Sequence, residues 1–542
     1  MAELVLGPLL RCTEATSAAI WVETDAPCEV RVLGAAARTF TVHGHHYALV
    51  DVDGLEPGTS TPYTVELDGE RVWPEPGSAF PPSRVRTPAP DATVRVVFGS
   101  CRVSGPHETA DNVTHGVDVL RAYALRAAAG DADPWPTVLL MAGDQVYADE
   151  PSEQMRAFIR DRRDVAEPPG EEIADFAEYA HLYRLAFGDP ACRWLLSTVP
   201  SLMIFDDHDI RDDWNTSRAW REEITARPWW RARITGGLGA YWIYQHIGNL
   251  PRAERDTDEL LAKLRAADGD GGDLLDAFAW RADQENDSNR WSYRHDFGGT
   301  RLVVVDSRCG RVLTPGKRRM LAGSESAWLD DQCRGDVDHL LIATSLPFLL
   351  PAGLYDLEAW NEAVCDGVWG RRAAAFGERI RQAYDLEHWA AFRTSCDMLT
   401  ASITEVARGE RGRPPASIVF LSGDVHHSYL NKVTSPPLPT PIYQAVCSPI
   451  RNPMTGMLRL ANIVATFGVA QVAGRVLARL AGIRRPGLRW KLDRRPWFSN
   501  SLSTLDIDHR TATIRWEAAT VNVAEPQLAT VATVDLTGRP PA

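Results

Sequence analysis

Several features that would assign this chain to a familiar class are missing from its sequence. The nine cysteines are scattered and include no C-x-x-C pair, which argues against a disulfide framework. Basic residues are in the minority, since 58 Lys and Arg against 72 Asp and Glu give a net charge of −14. That net charge argues against binding to the phosphates of a nucleic acid. No internal repeat is visible. An acidic globular chain of 542 residues remains, long enough for two or more domains.

The amino-terminal segment MAELVLGPLLR also lacks the basic region, the long apolar run and the small-residue cleavage site of a secretory signal. Together with the scattered cysteines, this start predicts a cytoplasmic protein with reduced thiols. A secreted protein already trimmed of its signal would begin in the same way, so that alternative stays open.

Residues 1–88 predict a small β-sandwich of the fibronectin type III or immunoglobulin kind. Short alternating runs such as AAIWVET (18–24) and HYALVDV (46–52) are separated by turn residues at the spacing of such domains. In GLEPGTSTPYTVEL (54–67) a Pro-Gly turn precedes Tyr63. We expect the Tyr63 hydroxyl to hydrogen-bond back across this corner, as in fibronectin type III-like domains. A Pro-rich linker follows.

From residue 93 to residue 542 apolar strands alternate with helical stretches, which predicts a second, α/β domain (93–542). Helical insertions are predicted at 150–198 and 217–290. The second is rich in aromatic residues; of two interpretations, a lid over a substrate and burial against the sheet, burial is favoured. Residues 457–486 form an apolar helical stretch bracketed by arginines and too short to span a bilayer. A packed surface helix, weak contact with a membrane surface and a dimer contact are its interpretations. The oligomeric state is not predicted.

Four apolar runs share one format, because each stops at residues that can bind a metal. They are VVFGSCR (96–102), VLLMAGDQVYAD (138–149), LMIFDDHDIRDDW (202–214) and IVFLSGDVHHSY (418–429). Sites in α/β sheets form at the carboxyl ends of the strands. We therefore expect a metal site built from the side chains that end these runs, namely Cys101, Asp144, Tyr147, Asp207, His208, Asp424 and His426.

The second and third runs carry the groups best suited to acid–base and metal chemistry. Asp144 can bridge two cations with its two carboxylate oxygens. The phenol of Tyr147 keeps its proton near neutral pH, so it becomes a useful ligand only beside a highly charged ion such as ferric iron. Asp207 and His208 are adjacent on a loop, so one can hold a metal while the other moves a proton.

The remaining two runs add further candidates. Strand alternation places Asp424 and His426 on one side, where a carboxylate and an imidazole suit iron, manganese or zinc. His427 faces the other way and is expected to be structural. Cys101 ends a buried strand, where a thiol is more often simply an apolar residue. Arg102 either binds an anionic substrate through its guanidinium or neutralises the acidic loops.

The ordered set S-C-R, G-D-x-x-Y-x-D, D-D-H-D and S-G-D-V-H resembles the alkaline phosphatase D (PhoD-like) branch of the calcineurin-like metallophosphoesterases. The resemblance runs from the sandwich at residues 1–88 to roughly residue 450. It implies a four-layer α/β/β/α sandwich with two mixed sheets, the tail strands at 502–518 in the second sheet, and a dinuclear metal centre. It also implies hydrolysis of a phosphate-ester small molecule by metal-activated water.

By this resemblance, a ferric ion is held by Cys101, Asp144 and Tyr147, and Asp144 is shared with the second metal. Calcium is implied as that second metal, with zinc, manganese or iron as alternatives. His208 would protonate the leaving group. The remaining implied roles are metal binding by Asp207, Asp424 and His426, and support from behind the site by Asp306 and Arg308.

The chain also departs from the family pattern. Cys101 stands where the wider superfamily opens with D-x-H, and no V-x-x-H histidine is evident. Val425 replaces the Arg of the S-G-D-R-H variant, so the charge that binds phosphate would come from Arg102 or another residue. Two rival functions stay open: a phosphodiesterase or phospholipase that uses 457–486 at a lipid surface, and a non-catalytic, metal-stabilised binding scaffold.

Overall fold

The chain adopts a mixed α/β fold whose amino-terminal part is entirely β, which confirms the predicted fold class. In this computed structural model two large sheets carry the α/β part, and smaller sheets form the amino terminus. The structure describes residues 1–107, 112, 114–130, 135–454, 469–519 and 526–537.

The strands, numbered in chain order, divide into an amino-terminal and a carboxy-terminal group. The first group comprises β1 (Leu4–Thr13), β2 (Ser17–Thr24), β3 (Glu29–Val32), β4 (Ala35–Arg38), β5 (Phe40–Val42), β6 (His45–Asp53), β7 (Ser60–Pro62), β8 (Val65–Leu67), β9 (Glu70–Trp73) and β10 (Arg84–Arg86). The second comprises β11 (Val94–Gly99), β12 (Val138–Ala142), β13 (Ser201–Ile204), β14 (Tyr293–Phe297), β15 (Thr300–Val305), β16 (His339–Thr344), β17 (Ser417–Ser422), β18 (Ser428–Ser435), β19 (Ile442–Val446), β20 (Arg489–Trp497), β21 (Ser501–Asp508), β22 (Thr511–Ala519) and β23 (Leu528–Asp535).

The helices lie in the connections of the second group. Between β11 and β14 they are Val119–Ala128, Glu153–Arg162, Phe176–Phe187, Pro190–Thr198, Arg218–Thr225, Trp230–Tyr241, Ile247–Asn249, Arg252–Arg255, Glu259–Ala266 and Gly272–Gln284, with a π-helix at Trp242–His246. After β15 they are Gly323–Gln332, Ala352–Cys365, Arg371–Ala383, Arg393–Arg408 and Val469–Leu480, with a 3-10 helix at Trp389–Ala391.

The amino-terminal sandwich packs directly on the α/β part. Its four-stranded sheets have the orders β1-β2-β6-β5 and β4-β3-β8-β9. Alternation along β2 and β6 sends Ile20 and Val50 into the core between these sheets. The opposite faces of the same strands carry Trp21 and Leu49 into the core of the α/β part.

Tyr63 does not close the corner that the sequence predicts. Its hydroxyl donates a hydrogen bond to the Ser197 carbonyl oxygen (2.5 Å), at the end of a helix of the α/β part. The buried Arg11 likewise reaches out of the sandwich and donates to Asn249 Oδ1 (2.9 Å). The prediction for Tyr63 is wrong because a helical insertion, which the local motif does not reveal, brings a carbonyl oxygen to the hydroxyl.

The α/β part contains a six-stranded sheet, β13-β12-β11-β21-β22-β23, and a seven-stranded sheet, β14-β15-β16-β17-β19-β18-β20. The strands β11, β12 and β13 run parallel, as do β15, β16, β17 and β19. The tail strand β21 pairs antiparallel with β11. The tail therefore extends the first sheet and not the second, which corrects the expectation for 502–518.

The two large sheets face each other with helices outside them. In the seven-stranded sheet Leu341 and Val419 join the core shared with the six-stranded sheet. Their neighbours Ile342 and Phe420 point to the opposite side, into a core formed with helices such as Arg393–Arg408. On the six-stranded sheet the helix that begins at Val119 contacts β21 and β22. The layers follow the order helix, sheet, sheet, helix, as expected.

The aromatic insertion at 217–290 packs into the core, which confirms the favoured interpretation. Trp230 and Trp242 are fully buried. The Tyr244 hydroxyl lies 3.0 Å from that of Tyr47 in the sandwich. The insertion therefore joins the sandwich to the sheets.

The predicted helical stretch at 457–486 lies partly outside the described residues. Its described part includes the Val469–Leu480 helix, which packs against the Ala352–Cys365 helix. In the described ranges no helix has the length and apolar character needed to cross a membrane.

Candidate metal centre

The four predicted segments meet at the carboxyl ends of their strands. Three of the strands belong to one sheet and β17 to the other, so loops from both sheets converge. The Ser100 hydroxyl joins them, because it accepts the backbone N–H of Asp424 at 3.3 Å. Gly143 and Gly423 permit this approach, since a Cβ on either would lie 2.3 Å from the Ser100 Oγ.

Several residues at these strand ends adopt the left-handed backbone conformation. Their φ angles are 58° for Cys101, 64° for Asp213, 63° for Asp424 and 50° for His426. For a residue other than glycine such a conformation costs about 1–3 kcal/mol and persists only where the surroundings impose it. The local strain turns the chain so that side chains from separate strands face a common space.

A cluster of buried carboxylates forms the centre of this space. Asp144, Asp206 and Asp207 offer oxygens that all lie within 4.8 Å of one another. Oδ1 of Asp144 and Oδ2 of Asp206 are buried and accept no hydrogen bond. Burial raises the pKa of all three carboxyls, and negatively charged neighbours add to the rise for each of them. Such a set is stable only with protons or cations among the oxygens, so its donor chemistry fits metal ions.

Cys101 and Tyr147 lie beside this cluster. The Tyr147 hydroxyl donates to Asp144 Oδ2 at 3.3 Å, and Cys101 Sγ lies 3.5 Å from the Asp424 carbonyl oxygen. Burial, and next the Asp144 carboxylate, raise the pKa of both the thiol and the phenol. Each group stays protonated without a cation, so ligation in the ionised form requires a strongly charged ion next to it.

Arg308 supports the cluster from behind, and its guanidinium is fully buried. It pairs with Asp206, with Asp207 Oδ1 at 3.1 Å and with Glu387 Oε1 at 2.5 Å. Asp306 in turn accepts the backbone N–H of Arg308 at 2.8 Å. One guanidinium thus compensates three carboxylates, and Asp144 is not among them.

His208 is paired with a carboxylate that the sequence did not single out. Its Nδ1 lies 3.0 Å from both carboxylate oxygens of Asp149. Burial disfavours the charged imidazole, but the Asp149 carboxylate outweighs burial and raises the pKa of His208 well above its usual value. The Nε2 atom lies 3.8 Å from Asp212 Oδ1, and the ring packs 4.8 Å from that of Tyr147. The imidazole is therefore charged and oriented.

A histidine that the sequence did not indicate also reaches the site. Nε2 of His388 lies 3.3 Å from Asp424 Oδ2, while Nδ1 lies 2.7 Å from Glu358 Oε1. Burial disfavours the imidazolium, but Glu358 and Asp424 outweigh it and raise the pKa of His388 well above its usual value. For Asp424, the His388 imidazole outweighs burial and lowers the carboxyl pKa to about 2.

The two histidines after Asp424 have different surroundings. Burial lowers the pKa of His426 to about 4, so this imidazole is neutral and able to bind a metal. His427 has its Nδ1 2.7 Å from the Val425 carbonyl oxygen, and its ring stacks on Phe498. This packing fits the structural role expected of His427.

Arg102 does not reach the site, which corrects its assignment as a phosphate-binding residue. Its guanidinium is buried and donates to Asp118 Oδ2 at 2.8 and 3.0 Å. It also donates to the Ala186 carbonyl oxygen at 2.6 Å and lies 3.2 Å from Cys192 Sγ. Each of the three guanidinium nitrogens has a partner within the fold, and none of these partners belongs to the carboxylate cluster.

The residues that sequence reasoning missed fall into two kinds. Asp149 and Asp206 stand inside the quoted runs, so their charge close to a buried strand was an available signal. Glu387 and His388 stand in a loop that follows a helix, with no apolar strand before them. Their place in the site arises from tertiary contact alone.

The comparisons with known proteins agree with this geometry. The family model of the PhoD-like phosphatases matches residues 112–473, and a domain of unknown function, DUF7800, matches residues 1–85. A comparison with curated proteins finds no match. The solved structure of PhoD covers 98% of this chain and 89% of its own at 13% identity, with a TM-score of 0.62.

A second solved structure is the purple acid phosphatase PPD1 from seeds of yellow lupin (Lupinus luteus). It covers 97% of this chain and 74% of its own at 10% identity and a TM-score of 0.49. At 13% identity the likeness to PhoD describes the fold, whereas the family match spans most of the chain. The predicted resemblance is confirmed: the chain belongs to the PhoD-like phosphatase family of phosphoester-hydrolysing enzymes.

Proposed function

We propose that the protein hydrolyses phosphate esters with a dinuclear metal centre. The ligands would be Cys101, Asp144, Tyr147, Asp207, Asp424 and His426. The observation that carries this proposal is the buried oxygen of Asp144, which accepts no hydrogen bond, and no arginine of the described residues is among the groups that most shift the pKa of this carboxyl. A buried carboxylate in that state calls for a cation.

The ligand types support iron at one position. A thiol and a phenol whose pKa values are both raised by burial would ionise only beside a hard, highly charged ion such as Fe3+. The second position would take Ca2+, Zn2+ or Mn2+. A pair of cations held there would supply Lewis acidity and neutralise the charge of the transferred group.

The positive charge for a phosphate would come from those cations and not from arginine. Arg102 is paired with Asp118, and Arg308 is paired with the carboxylates behind the site. Neither guanidinium is available to a substrate.

His208 would act as the general acid. Asp149 holds its Nδ1 and keeps the imidazole charged, so Nε2 carries a proton that can pass to the departing alkoxide. Asp149 also accepts the backbone N–H of Asp212 at 2.6 Å, which fixes the carboxylate in place. The pair is thereby oriented before substrate arrives.

Elemental analysis of protein purified without chelators, combined with a panel of phosphate monoesters and diesters, tests the proposal. We expect two metal ions per chain and turnover that chelators abolish. Asp144→Asn should lose metal and turnover together, whereas the exposed Asp268 serves as the matched control in Asp268→Asn. A metal-free protein with full turnover would refute the metal centre.

A second candidate is a phosphodiesterase or phospholipase that works at a lipid surface. The Val469–Leu480 helix exposes Val472, Val476 and Leu480, by 61%, 50% and 67%. Arg479 lies on the same helix and is exposed as well, which suits anionic headgroups. Co-sedimentation with phosphatidylserine vesicles, compared with Val476→Ser, tests it. Equal recovery of the two proteins would remove this candidate.

A further inference from the structure

The pair formed by His388 and Glu358 has the arrangement of a metal-binding histidine. Glu358 is buried on the Ala352–Cys365 helix, and its Oε1 lies 2.7 Å from His388 Nδ1. A carboxylate in this position holds a proton on Nδ1, so Nε2 is the nitrogen that can give up its proton and bind a metal through its lone pair. Metal-binding histidines commonly have a carboxylate behind them for this reason.

The other nitrogen points at a carboxylate that it does not hydrogen-bond well. His388 Nε2 is buried and lies 3.3 Å from Asp424 Oδ2, but the pair lacks the alignment of a hydrogen bond. Two electron-rich atoms at this separation repel each other unless positive charge lies between them. In the metal-free protein that charge is the Nε2 proton, and a metal ion would take its place.

The separation suits two ligands of one metal ion. Bonds of about 2.0–2.2 Å from a metal to nitrogen and oxygen place neighbouring ligand atoms about 3 Å apart when the angle at the metal is near 90°. The observed 3.3 Å between His388 Nε2 and Asp424 Oδ2 agrees with this spacing. Asp424 also lies close enough to the carboxylate cluster for its charge to raise the pKa of Asp206 and Asp207.

We propose that His388, oriented by Glu358, is a further ligand of the metal ion that Asp424 binds. This inference rests on the metal centre of the proposed function. Its consequence concerns the identity of the ion. Ca2+ takes oxygen ligands, whereas imidazole suits zinc, manganese or iron. The ion at Asp424 is therefore a transition metal and not calcium.

The test is a calorimetric titration of the metal-free full-length protein with Zn2+ and, separately, with Ca2+. Elemental analysis of the loaded protein accompanies each titration. His388→Ala should weaken Zn2+ binding at one site by at least about 10-fold, since even the loss of a group behind a ligand costs about 10–100-fold. Glu358→Gln should weaken it in the same direction and by less.

Two further variants serve as controls for the His388→Ala result. His388→Gln keeps the size of the side chain and a donor for Glu358 but removes the imidazole, so it should behave like the alanine variant. His339 is a matched buried histidine at the opposite, amino-terminal end of its strand, where it contacts Ser417 Oγ at 2.8 Å. His339→Gln should leave Zn2+ binding unchanged.

The outcomes separate the two proposals. Zn2+ binding by His388→Ala and His388→Gln that equals that of His339→Gln would overturn the inference, even with a metal centre present. Preference of the wild-type site for Ca2+ over Zn2+ would overturn it as well. Failure of the wild-type protein to bind any metal would overturn the proposed function, and this inference with it.

Discussion

Replacement of Arg308 by methionine should be among the most damaging single changes in the described part of the chain. The guanidinium is fully buried and pairs with three carboxylates, of Asp206, Asp207 and Glu387, whose side chains are at most 8% exposed. Removal of one partner of a buried ion pair costs about 3–5 kcal/mol, because the other charge stays buried without compensation. With three carboxylates left behind, we expect the upper end of that range or more.

The assay is urea unfolding of metal-free protein in the presence of a chelator. As a control, Arg31→Met removes an exposed pair with Glu29, whose side chains are 49% and 44% exposed. That loss should cost about 0–1 kcal/mol. Arg308→Lys keeps the charge but cannot bridge three carboxylates, so an intermediate loss is expected.

Added metal should restore part of the stability of Arg308→Met. Cations would compensate Asp206 and Asp207, while Glu387 keeps its second partner, Arg311, at 2.9 Å. The reasoning fails if Arg308→Met unfolds at the same urea concentration as Arg31→Met. It also fails if metal has no effect on the stability of either protein.

The remaining predictions concern the chemistry and the packing of the site. His208→Ala should retain metal but lose at least about 10²-fold in rate on alkyl phosphate esters, with a smaller loss on aryl esters that need no protonation; undiminished turnover of an alkyl ester would exclude His208 as the acid. Iron bound by Tyr147 should give a visible charge-transfer band that shifts or disappears in Tyr147→Phe, and a colourless, fully active protein without iron would refute the ferric assignment. Gly423→Ala should destabilise the protein by about 1–3 kcal/mol, because the added Cβ would lie 1.9 Å from the Cβ of Ser100. Gly105→Ala is its control, since nothing lies closer than 4.0 Å to the added Cβ. Equal unfolding midpoints for the two alanine variants would contradict the predicted clash.

The sequence revealed the strands and the side chains at their ends because both are local features. An apolar run that stops at a carboxylate, such as the run before Asp144, predicts both a buried strand and the residue at which that strand ends. Parallel strands share a carboxyl edge, so the convergence of Cys101, Asp144 and Asp207 follows from topology. The sheet to which the tail strands belong could not be predicted in this way, because the pairing of a strand depends on tertiary structure and not on its local sequence.

Direction was the least predictable property of individual side chains. Arg102 follows Cys101 immediately, yet its side chain pairs with Asp118, the N-cap of the next helix, while the thiol faces the site. The left-handed φ of 58° at Cys101 sets that geometry, and cysteine has no preference for this conformation from which it could be predicted. His388 shows the converse, because a histidine outside any motif reaches the site through the fold alone.

The balance of charge in the site explains why burial, strain and metal binding occur together. Asp144, Asp206 and Asp207 place three buried carboxylates next to one another, the half-buried Asp424 lies near them, and Arg308 is the guanidinium behind them. Without cations, part of this charge must be held by protons, which is the meaning of the raised pKa values of the first three. Protons and metal ions therefore compete for the same oxygens, so a centre built in this way binds its metals more tightly as the pH rises. The fold keeps these carboxylates together at a cost in free energy when no metal is bound, and binding of the metals removes that cost.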